Sequence, residues 1–457
     1  MEHPLLDEAA AAAVTFLESL PERPVGPPPD VAALRTALGA PLTEGGEGDL
    51  PALLALVDGT ADGLVATAGP RYFGFVNGGT LPIAVAADWL VTAWDQNVAM
   101  HVMSPAVAVI EEVVLDWLRD LLRLPPGGSG AFVTGAQMAN VVGLMAARHQ
   151  VLEVAGWDVE RDGLFGAPPV TVVVGGERHA AVDRALRHLG FGTAGIVALA
   201  VDDQGRLDPS DLARVLGEAD GGPAIVCTQA GNVNTGAFDP IGEICAIAHE
   251  HAAWVHVDGA FGLWAAASDR HRHLLDGYEA ADSWAVDMHK WLNAPYDCSV
   301  ALTAHPDAHR AVMATTAAYL TPGEHREPID WNPEMSRRAR AVPTWAILRS
   351  LGRDGVEAMV DRFCALARRA AERFAAADGV DVLNDVVLNQ VLVRFGDDDQ
   401  ATRNVITRVQ EDATCWVGGT VWQGRAAMRF SVSNWSTTED DIDRSVDAIL
   451  SCTADGS

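Results

Sequence analysis

The sequence predicts an α/β protein with a mostly parallel sheet in a large domain, followed by a small α+β C-terminal domain. Two patterns support this fold class. Short apolar runs that suit buried strands alternate with helical stretches through the middle of the chain. After about residue 345, a long helical stretch leads into two strand-like runs, VLNQVLVRF and AAMRFSVSN, each followed by a helix. We therefore expect three parts, namely residues 1–70, 71–345 and 346–457.

Residues 1–70 contain short Ala/Leu-rich helical stretches interrupted by PERPVGPPPD and LTEGGEGD. Such a segment cannot form a core of its own, so we expect it to pack on something larger. Its first residues include Glu2, Asp7 and Glu8 in place of a basic region. The start of the chain is therefore expected to be an amphipathic helix and not a secretory signal.

The large domain, residues 71–345, begins with a loop rich in aromatic residues and glycine and with two helices, the second starting near Pro105. Strand–turn–helix units follow, and the strand-like runs are GAFV, VTVVV, AIVC and AWVHVD. Ligands of such sheets bind at the carboxyl ends of the strands. The residues that follow these four runs are therefore the first candidates for a functional site.

Composition excludes several classes of partner. The 457 residues include 32 Lys plus Arg and 62 Asp plus Glu, which gives a net charge of −30. This charge argues against nucleic acid and against an anionic membrane surface. No apolar run is long enough for a membrane span. The six cysteines are scattered without a CxxC pair, which predicts neither a metal site nor disulfides and favours the cytoplasm.

Lys290 is the only lysine in the chain, because the other 31 basic residues are arginines. A lone lysine on a charged surface would indicate only a bias toward arginine. Lys290 instead lies in the apolar and aromatic sequence DMHKWLN. A buried lysine has a lowered pKa and forms Schiff bases, which arginine cannot do. We therefore expect Lys290 to bind pyridoxal 5′-phosphate (PLP), the commonest partner of a Schiff-base lysine.

This cofactor requires an acid at its pyridine nitrogen, a phosphate site and a surface for its ring. Asp258, at the end of AWVHVD, suits the acid, although a turn aspartate would look the same. The strand–helix junction TGAQ suits the phosphate but is also an ordinary turn. His179 is a candidate for stacking or a simple helix start, and Thr228 for the ring hydroxyl. Arg429 is a candidate for a substrate carboxylate or a structural ion pair.

The segments HVDGAFG, DSWAVDMHKWLNAPYDCSVAL, SPAVAVIEEVVLDWL and VTGAQMAN together resemble the group II PLP-dependent amino-acid decarboxylases, which include aromatic-L-amino-acid and glutamate decarboxylases. The resemblance covers the chain from about residue 70 onward. It implies the type I, aspartate aminotransferase-like fold. It also implies a homodimer, with the active site at the subunit interface and residues 1–70 packed there.

By position, the resemblance assigns the Schiff base to Lys290, the pyridine nitrogen to Asp258 and ring stacking to His179. It further implies cofactor contacts that involve Ala136, Gln137, Ala260 and His289. Phe75 matches the mouth of the substrate pocket. Trp94, His101 and Trp331 are further candidates for an aromatic-friendly pocket.

The chain departs from this family at three places. The phosphate turn reads TGAQMAN, where relatives carry a sequence closer to TGGSEAN. Asp287 stands where relatives carry an Asn near the phosphate, so we expect its carboxyl to be protonated or turned away. In the loop TPGEHREPIDWNPEMSRRARAVPTW, Pro328 stands near the position of the family's proton-donating tyrosine, and no tyrosine follows Tyr319. His325 or a loop-bound water is an alternative donor.

The leading hypothesis is PLP-dependent decarboxylation of an L-amino acid, favouring an aromatic one, to an amine. The missing tyrosine leaves open an oxygen-dependent outcome that releases an aldehyde. A transaminase and a non-catalytic PLP-fold protein are further alternatives, and the presence of Lys290, Asp258 and His179 disfavours the last. The expected partners are a small amino-acid substrate and a second copy of the chain.

Overall fold

The computed structural model describes residues 3–26, 30–219, 221–315 and 325–453. Two compact units make up the chain. The small unit consists of Met1–Asn77, Arg369–Leu383 and Leu392–Ser457, and the large unit of Gly78–Arg368 and Asn384–Val391. The N-terminal segment thus shares a unit with most of the C-terminal region. The division predicted from the sequence, at residues 70 and 345, stays a prediction.

The large unit contains a seven-stranded sheet with the strand order β1-β7-β6-β5-β4-β2-β3. Its strands are β1 (Ser129–Val133), β2 (Thr171–Gly175), β3 (Ile196–Leu199), β4 (Ala224–Gln229), β5 (Trp254–Asp258), β6 (Ser283–Asp287) and β7 (Ser299–Thr303). Only β7 runs against its neighbours β1 and β6, and the other pairs are parallel. Six strands therefore end at the same edge of the sheet, and this confirms the predicted mostly parallel sheet.

Helices accompany this sheet. They are α4 (Pro82–Trp94), α5 (Pro105–Leu121), α6 (Ala136–Val154), α7 (Val159–Asp162), α8 (Ala180–His188), α9 (Pro209–Glu218), α10 (Ile241–Glu250), α11 (Pro306–Met313) and α12 (Ala341–Ala375), whose residues from Arg369 onward belong to the small unit. Leu144 and Val151 of α6 pack with Val172 and Ile225 of the sheet in one buried cluster. Both faces of the central strands are covered, because every residue of β4 and β5 is buried. Continuous apolar strands are typical of such sheets.

The small unit has a four-stranded sheet with the order β10-β11-β9-β8. Its strands are β8 (Val380–Val382), β9 (Gln390–Phe395), β10 (Gly418–Trp422) and β11 (Arg425–Ser431). The first two residues of β9, Gln390 and Val391, belong to the large unit. Its helices are α1 (Pro4–Ser19), α2 (Val31–Leu38), α3 (Asp49–Thr60), α13 (Asp399–Asp412) and α14 (Glu439–Ser451). In the described part of the chain, α1, α2 and α3 bury none of their residues. This agrees with the expectation that they form no core of their own.

Among the described residues, none of the helices is both long and apolar enough to cross a membrane.

Candidate active site

The catalytic candidates of the large unit follow strand ends at one edge of the sheet. Asp258 is the last residue of β5, and Asp287 is the last residue of β6. Lys290 lies three residues beyond β6, in a turn, and the segment Thr134–Gln137 runs from the end of β1 into the first turn of α6. Because β1, β5 and β6 are parallel to one another, the sheet brings these residues to a common edge. This is the arrangement that the sequence predicts.

Lys290 is held by its neighbours in the turn. Its Nζ lies 2.9 Å from Asp287 Oδ2, and its side chain is 20% exposed. Gly78 packs directly against this turn, since a Cβ at residue 78 would collide with the carbonyl oxygen of Lys290. Asn293 fixes the same segment, because its Oδ1 accepts a hydrogen bond from Gly79 N at 2.7 Å. The lysine therefore projects from a backbone turn with little freedom to move.

Asp287 corrects one expectation from the sequence, because its carboxyl is neither turned away from the phosphate turn nor neutral. Its Oδ1 accepts a hydrogen bond from Ala136 N at 2.7 Å, at the start of α6, and its Oδ2 contacts Lys290. Burial is the largest influence on Asp287 and favours a higher pKa, but the charges of Lys290 and His289 and the hydrogen bonds with Lys290 and Ser299 together outweigh it, and the pKa is lowered. A charged carboxylate thus lies against the turn expected to bind phosphate. The helix N-terminus stabilises that charge.

The turn before α6 nevertheless retains a donor for an anion. Gly135 is the N-cap residue of α6, has an extended backbone and carries no side chain that could cap the helix. Gln137 Nε2 is buried and has no hydrogen-bond partner among the residues that the structure describes. A buried amide without a partner costs free energy, and a ligand oxygen would satisfy it. Gln137 together with the helix end therefore fits a phosphate group.

Asp258 is 6% exposed and is held through both carboxylate oxygens. Its Oδ1 accepts a hydrogen bond from Ala260 N at 3.3 Å, and its Oδ2 accepts one from Asn140 Nδ2 at 3.2 Å. The backbone of Ala260 also ties this strand end to the next, because its oxygen accepts from Asp287 N at 2.9 Å. A fixed carboxylate at a strand end is suited to pair with a protonated pyridine nitrogen.

Two histidines flank these strand ends. His179 is the N-cap residue of α8, and its Nδ1 accepts a hydrogen bond from Ala181 N at 3.2 Å. His179 therefore caps the start of α8 through its Nδ1, as the helix-start interpretation expects. Stacking of its ring on a cofactor stays a prediction. His289 is buried, contacts Asp287 Oδ1 at 3.5 Å and packs on the ring of Tyr296. Burial lowers the pKa of His289.

Thr228 lies inside β4 and not after it, because the strand extends to Gln229. Its hydroxyl donates a hydrogen bond to Asp239 Oδ2 at 2.9 Å. Burial raises the pKa of Asp239. The hydroxyl is thus already engaged, and a contact with the cofactor's ring hydroxyl would have to share it.

Aromatic and imidazole rings occur in pairs elsewhere in the large unit. His101 stacks on His325 with ring centroids 4.3 Å apart, and its backbone nitrogen donates to Glu327 Oε2 at 2.7 Å. Trp331 packs edge-on against His309 and beneath the guanidinium of Arg326. Residues 321–324 of the loop and Tyr319 lie outside the described residues.

Two further substrate candidates belong to the small unit. Phe75 is 61% exposed, has a φ of 54° and stacks on Trp416 with ring centroids 5.2 Å apart. Arg429 lies in β11 and is 9% exposed. Burial lowers its pKa.

Asn140 and His256 are polar residues of this region to which the sequence assigns no role, although they lie in the segments VTGAQMAN and HVDGAFG. His256 lies two residues before Asp258 in β5, so the two side chains point to the same face of the strand. Asn140 lies one turn after Ala136 on α6. These spacings are the signal from which both residues could have been identified.

The residues around Lys290 fit PLP, because they offer an amine, a carboxylate and an anion site at one edge. Among the described residues, no group of three or more His, Cys, Asp or Glu side chains is arranged to hold a metal ion.

Comparison with known proteins agrees with this chemistry. The family model described as the pyridoxal-dependent decarboxylase conserved domain matches residues 55–395. Tryptophan decarboxylase 1 of Oryza sativa subsp. japonica is 29% identical over 409 residues, covering 81% of this chain and 78% of that protein. L-2,4-diaminobutyrate decarboxylase of Rhizobium meliloti (strain 1021) is 30% identical over 381 residues, covering 80% and 74%.

Solved structures give the same result. The crystal structure of Oryza sativa TDC with PLP and tryptamine superimposes with a TM-score of 0.92 and 25% identity, covering 98% of this chain and 97% of that one. Mouse CSAD gives a TM-score of 0.91 at 25% identity, covering 99% and 98%. The type I fold is thereby confirmed. The chain belongs to the pyridoxal-dependent decarboxylase family, and it is a PLP-dependent carboxy-lyase that acts on an amino acid.

Proposed function

We propose that this enzyme decarboxylates an L-amino acid with an aromatic side chain and releases the amine. The observation that carries the proposal is the meeting of Lys290, Asp258 and Gln137 at one sheet edge. The preference for an aromatic substrate is supported by the paired rings of the large unit and by the exposed Phe75. A tryptophan decarboxylase is also among the relatives, beside enzymes of other amino acids.

When bound, PLP supplies the electron sink for the bond between the substrate's α-carbon and its carboxylate. In the proposed site, Lys290 provides the amine that anchors the cofactor, and Asp258 holds a proton at the pyridine nitrogen. Ala260 keeps the Asp258 carboxylate in place through its backbone N–H. The first turn of α6, with Ala136 and Gln137, binds the phosphate.

Other residues are proposed to complete the cofactor site. His179 covers the ring by stacking, and Thr228 contacts the side that bears the ring hydroxyl. His289 supports the Lys290 turn, because its Nδ1 accepts a hydrogen bond from Cys298 N at 3.2 Å. Packing of this kind fixes the lysine relative to the strand end.

The substrate is proposed to contact four side chains. In the large unit, His101 and Trp331 are proposed as contacts of its ring. In the small unit, Phe75 is proposed separately as a ring contact, and Arg429 as the partner of its carboxylate. Arginine suits this task because it stays protonated and binds a carboxylate through two parallel hydrogen bonds.

An aldehyde product is a second candidate, favoured by one observation. The chain has no tyrosine after Tyr319, so the loop through residue 345 carries no phenol to protonate the substrate carbon. His325 is a substitute donor, since its ring stacks on that of His101. Without an effective donor, the substrate would be oxidised by dioxygen and hydrolysed by water after decarboxylation, and the products would be an aldehyde, ammonia and hydrogen peroxide beside the carbon dioxide.

Product analysis with a panel of L-amino acids tests both candidates. The holoenzyme is incubated with aromatic, acidic and diamino substrates, and amine, carbon dioxide, aldehyde and peroxide are measured. We expect amine and carbon dioxide in equal amounts from an aromatic substrate, and no turnover by Lys290→Ala. Preferred turnover of an acidic or diamino substrate would contradict the substrate class. Aldehyde and peroxide as main products would favour the second candidate.

We further propose that the enzyme is a cytoplasmic homodimer. Helix α4 presents apolar side chains to solvent in the isolated chain, with Trp89, Leu90 and Trp94 each more than 40% exposed. A second copy that covers this face would remove those side chains from water. The cysteines of the described chain are free and five of the six are buried, which supports a reducing compartment.

A further inference from the structure

A line of hydrogen-bonded side chains leads from the interior of the large unit to Asp258. Trp254 Nε1 donates to Ser283 Oγ at 2.9 Å, and Ser283 Oγ lies 2.8 Å from His256 Nδ1. On the other side of the ring, His256 Nε2 lies 3.0 Å from Asn140 Oδ1, and Asn140 Nδ2 donates to Asp258 Oδ2 at 3.2 Å. All five side chains are buried. We call these residues the Asp258 relay.

The chemistry of the two ends fixes the direction of each hydrogen bond. The Trp254 indole can only donate, and the Asp258 carboxylate can only accept. Asn140 therefore turns its amide nitrogen toward Asp258, and its oxygen requires a proton on His256 Nε2. Burial lowers the pKa of His256 to about 4, so the ring is neutral at pH 7 and carries this one proton. His256 Nδ1 consequently accepts from the Ser283 hydroxyl.

The backbone of α6 is shaped around the histidine. A Cβ at Gly143 would lie 2.7 Å from both Cε1 and Nδ1 of His256, and 3.2 Å from Ser283 Oγ. These distances are too short for any side chain at this position. Gly143 and Asn140 are three residues apart and lie on one face of the helix. The same face thus makes room for the His256 ring and supplies its hydrogen-bond partner.

Taking the proposed role of Asp258 as the basis, we infer that His256 and Asn140 are positioning residues that hold the Asp258 carboxylate toward the pyridine nitrogen. Asn140 fixes Oδ2, while the backbone of Ala260 contacts Oδ1. His256 keeps Asn140 in the orientation in which its amide N–H faces the carboxylate. A carboxylate that cannot rotate keeps its charge directed at the pyridine nitrogen. A fixed charge stabilises the proton on that nitrogen more than a mobile one does.

Cofactor affinity provides a test that does not depend on turnover. The apoprotein is titrated with PLP and with 1-deazapyridoxal 5′-phosphate, in which a C–H replaces the ring nitrogen. Only PLP can use the Asp258 carboxylate, so the ratio of the two dissociation constants measures that contact. We expect Asn140→Leu and His256→Phe, which keep the side-chain size, to reduce the PLP preference about tenfold. His256→Gln retains an N–H that can donate to Asn140, so this variant should keep most of the preference for PLP.

Val142→Ala is the matched control, because it removes buried packing from α6 without touching the relay. It should weaken both ligands equally, and urea unfolding of each apoprotein measures the accompanying loss of stability. Ser283→Ala serves as a second relay variant if Asn140→Leu does not fold, and it should also reduce the preference. Equal weakening of both ligands by the relay variants would overturn the inference. Failure of the proposed role of Asp258 is distinguishable, because the wild-type apoprotein would then bind both ligands with the same affinity.

Discussion

At the scale of single residues, the pair of Lys290 and Asp287 governs the site. Asp287 contacts the lysine and also accepts the N–H of Ala136 at the start of α6. Lys290 attracts the phosphate of PLP as a cation, and the N-terminus of α6 at Ala136 attracts it through its backbone N–H groups. A carboxylate between them opposes the phosphate directly. This makes Asp287 the residue at which the chain departs most from the expected cofactor site.

We therefore predict that Asp287→Asn binds PLP more tightly, by about tenfold, because a charge beside the phosphate is removed. Titration of the apoprotein, followed by visible absorbance, measures the dissociation constant. Pyridoxal, which lacks the phosphate, is the control ligand and should gain less. Weaker binding of PLP by Asp287→Asn would show instead that the carboxylate supports the cofactor.

At the scale of elements, the strands that the sequence reveals are those made of continuous apolar residues. β2, β4 and β5 were predicted in this way. β6, with the sequence SWAVD, gives no such signal, because it begins and ends with polar residues. Ser283 and Asp287 are buried nonetheless, because each is hydrogen-bonded within the unit. Burial of this kind depends on partners from other elements and leaves no periodic signal.

The candidate site shows the same division. Lys290 could be found because it is the only lysine, and Asp258 because it ends an apolar strand. Local spacing indicates His256 and Asn140 singly, but it does not reveal the contact between them, since they are 116 residues apart in the sequence. The orientation of Asp287 likewise depends on contact with a helix that begins 151 residues earlier. Long-range contacts of this type require the folded chain.

An ion pair between helix α10 and Asp282, the residue just before β6, predicts a pH dependence of stability. His249 Nε2 lies 3.1 Å from Asp282 Oδ2. The hydrogen bond to Asp282 raises the pKa of His249 above its usual 6.5. The pair therefore stabilises the fold fully below that usual value, and the stabilisation is lost as the pH rises through the raised pKa. Asp282, whose pKa is lowered, stays charged through this range.

We accordingly expect His249→Gln to lower the free energy of unfolding at about pH 5.5, and to change it little at about pH 8.5. Urea unfolding at the two pH values measures the difference. His188→Gln is a control on another helix, since no ion pair of this kind involves it among the residues that the structure describes. An equal effect of His249→Gln at both pH values would show that the ion pair contributes nothing.

At the scale of the whole molecule, the apolar face of α4 predicts self-association. Leu90 and Trp94 are 49% and 47% exposed in the isolated chain. Sedimentation should show a dimer for the wild type and a shift to monomer for the double variant Leu90→Glu, Trp94→Glu. Val421→Glu, at an apolar residue that is 60% exposed in β10, is the control. A wild type that stays monomeric at every concentration would contradict the proposed homodimer.

Trapping the bond tests most directly whether Lys290 carries the cofactor. The PLP-loaded protein is reduced with borohydride, digested and mapped by mass spectrometry. Because the chain has one lysine, the only other primary amine is the α-amino group of the chain. We predict one pyridoxyl group per chain on the peptide that contains Lys290, and the loss of both the label and the visible band in Lys290→Ala. A label on the α-amino group alone, or an unchanged band in Lys290→Ala, would contradict the claim.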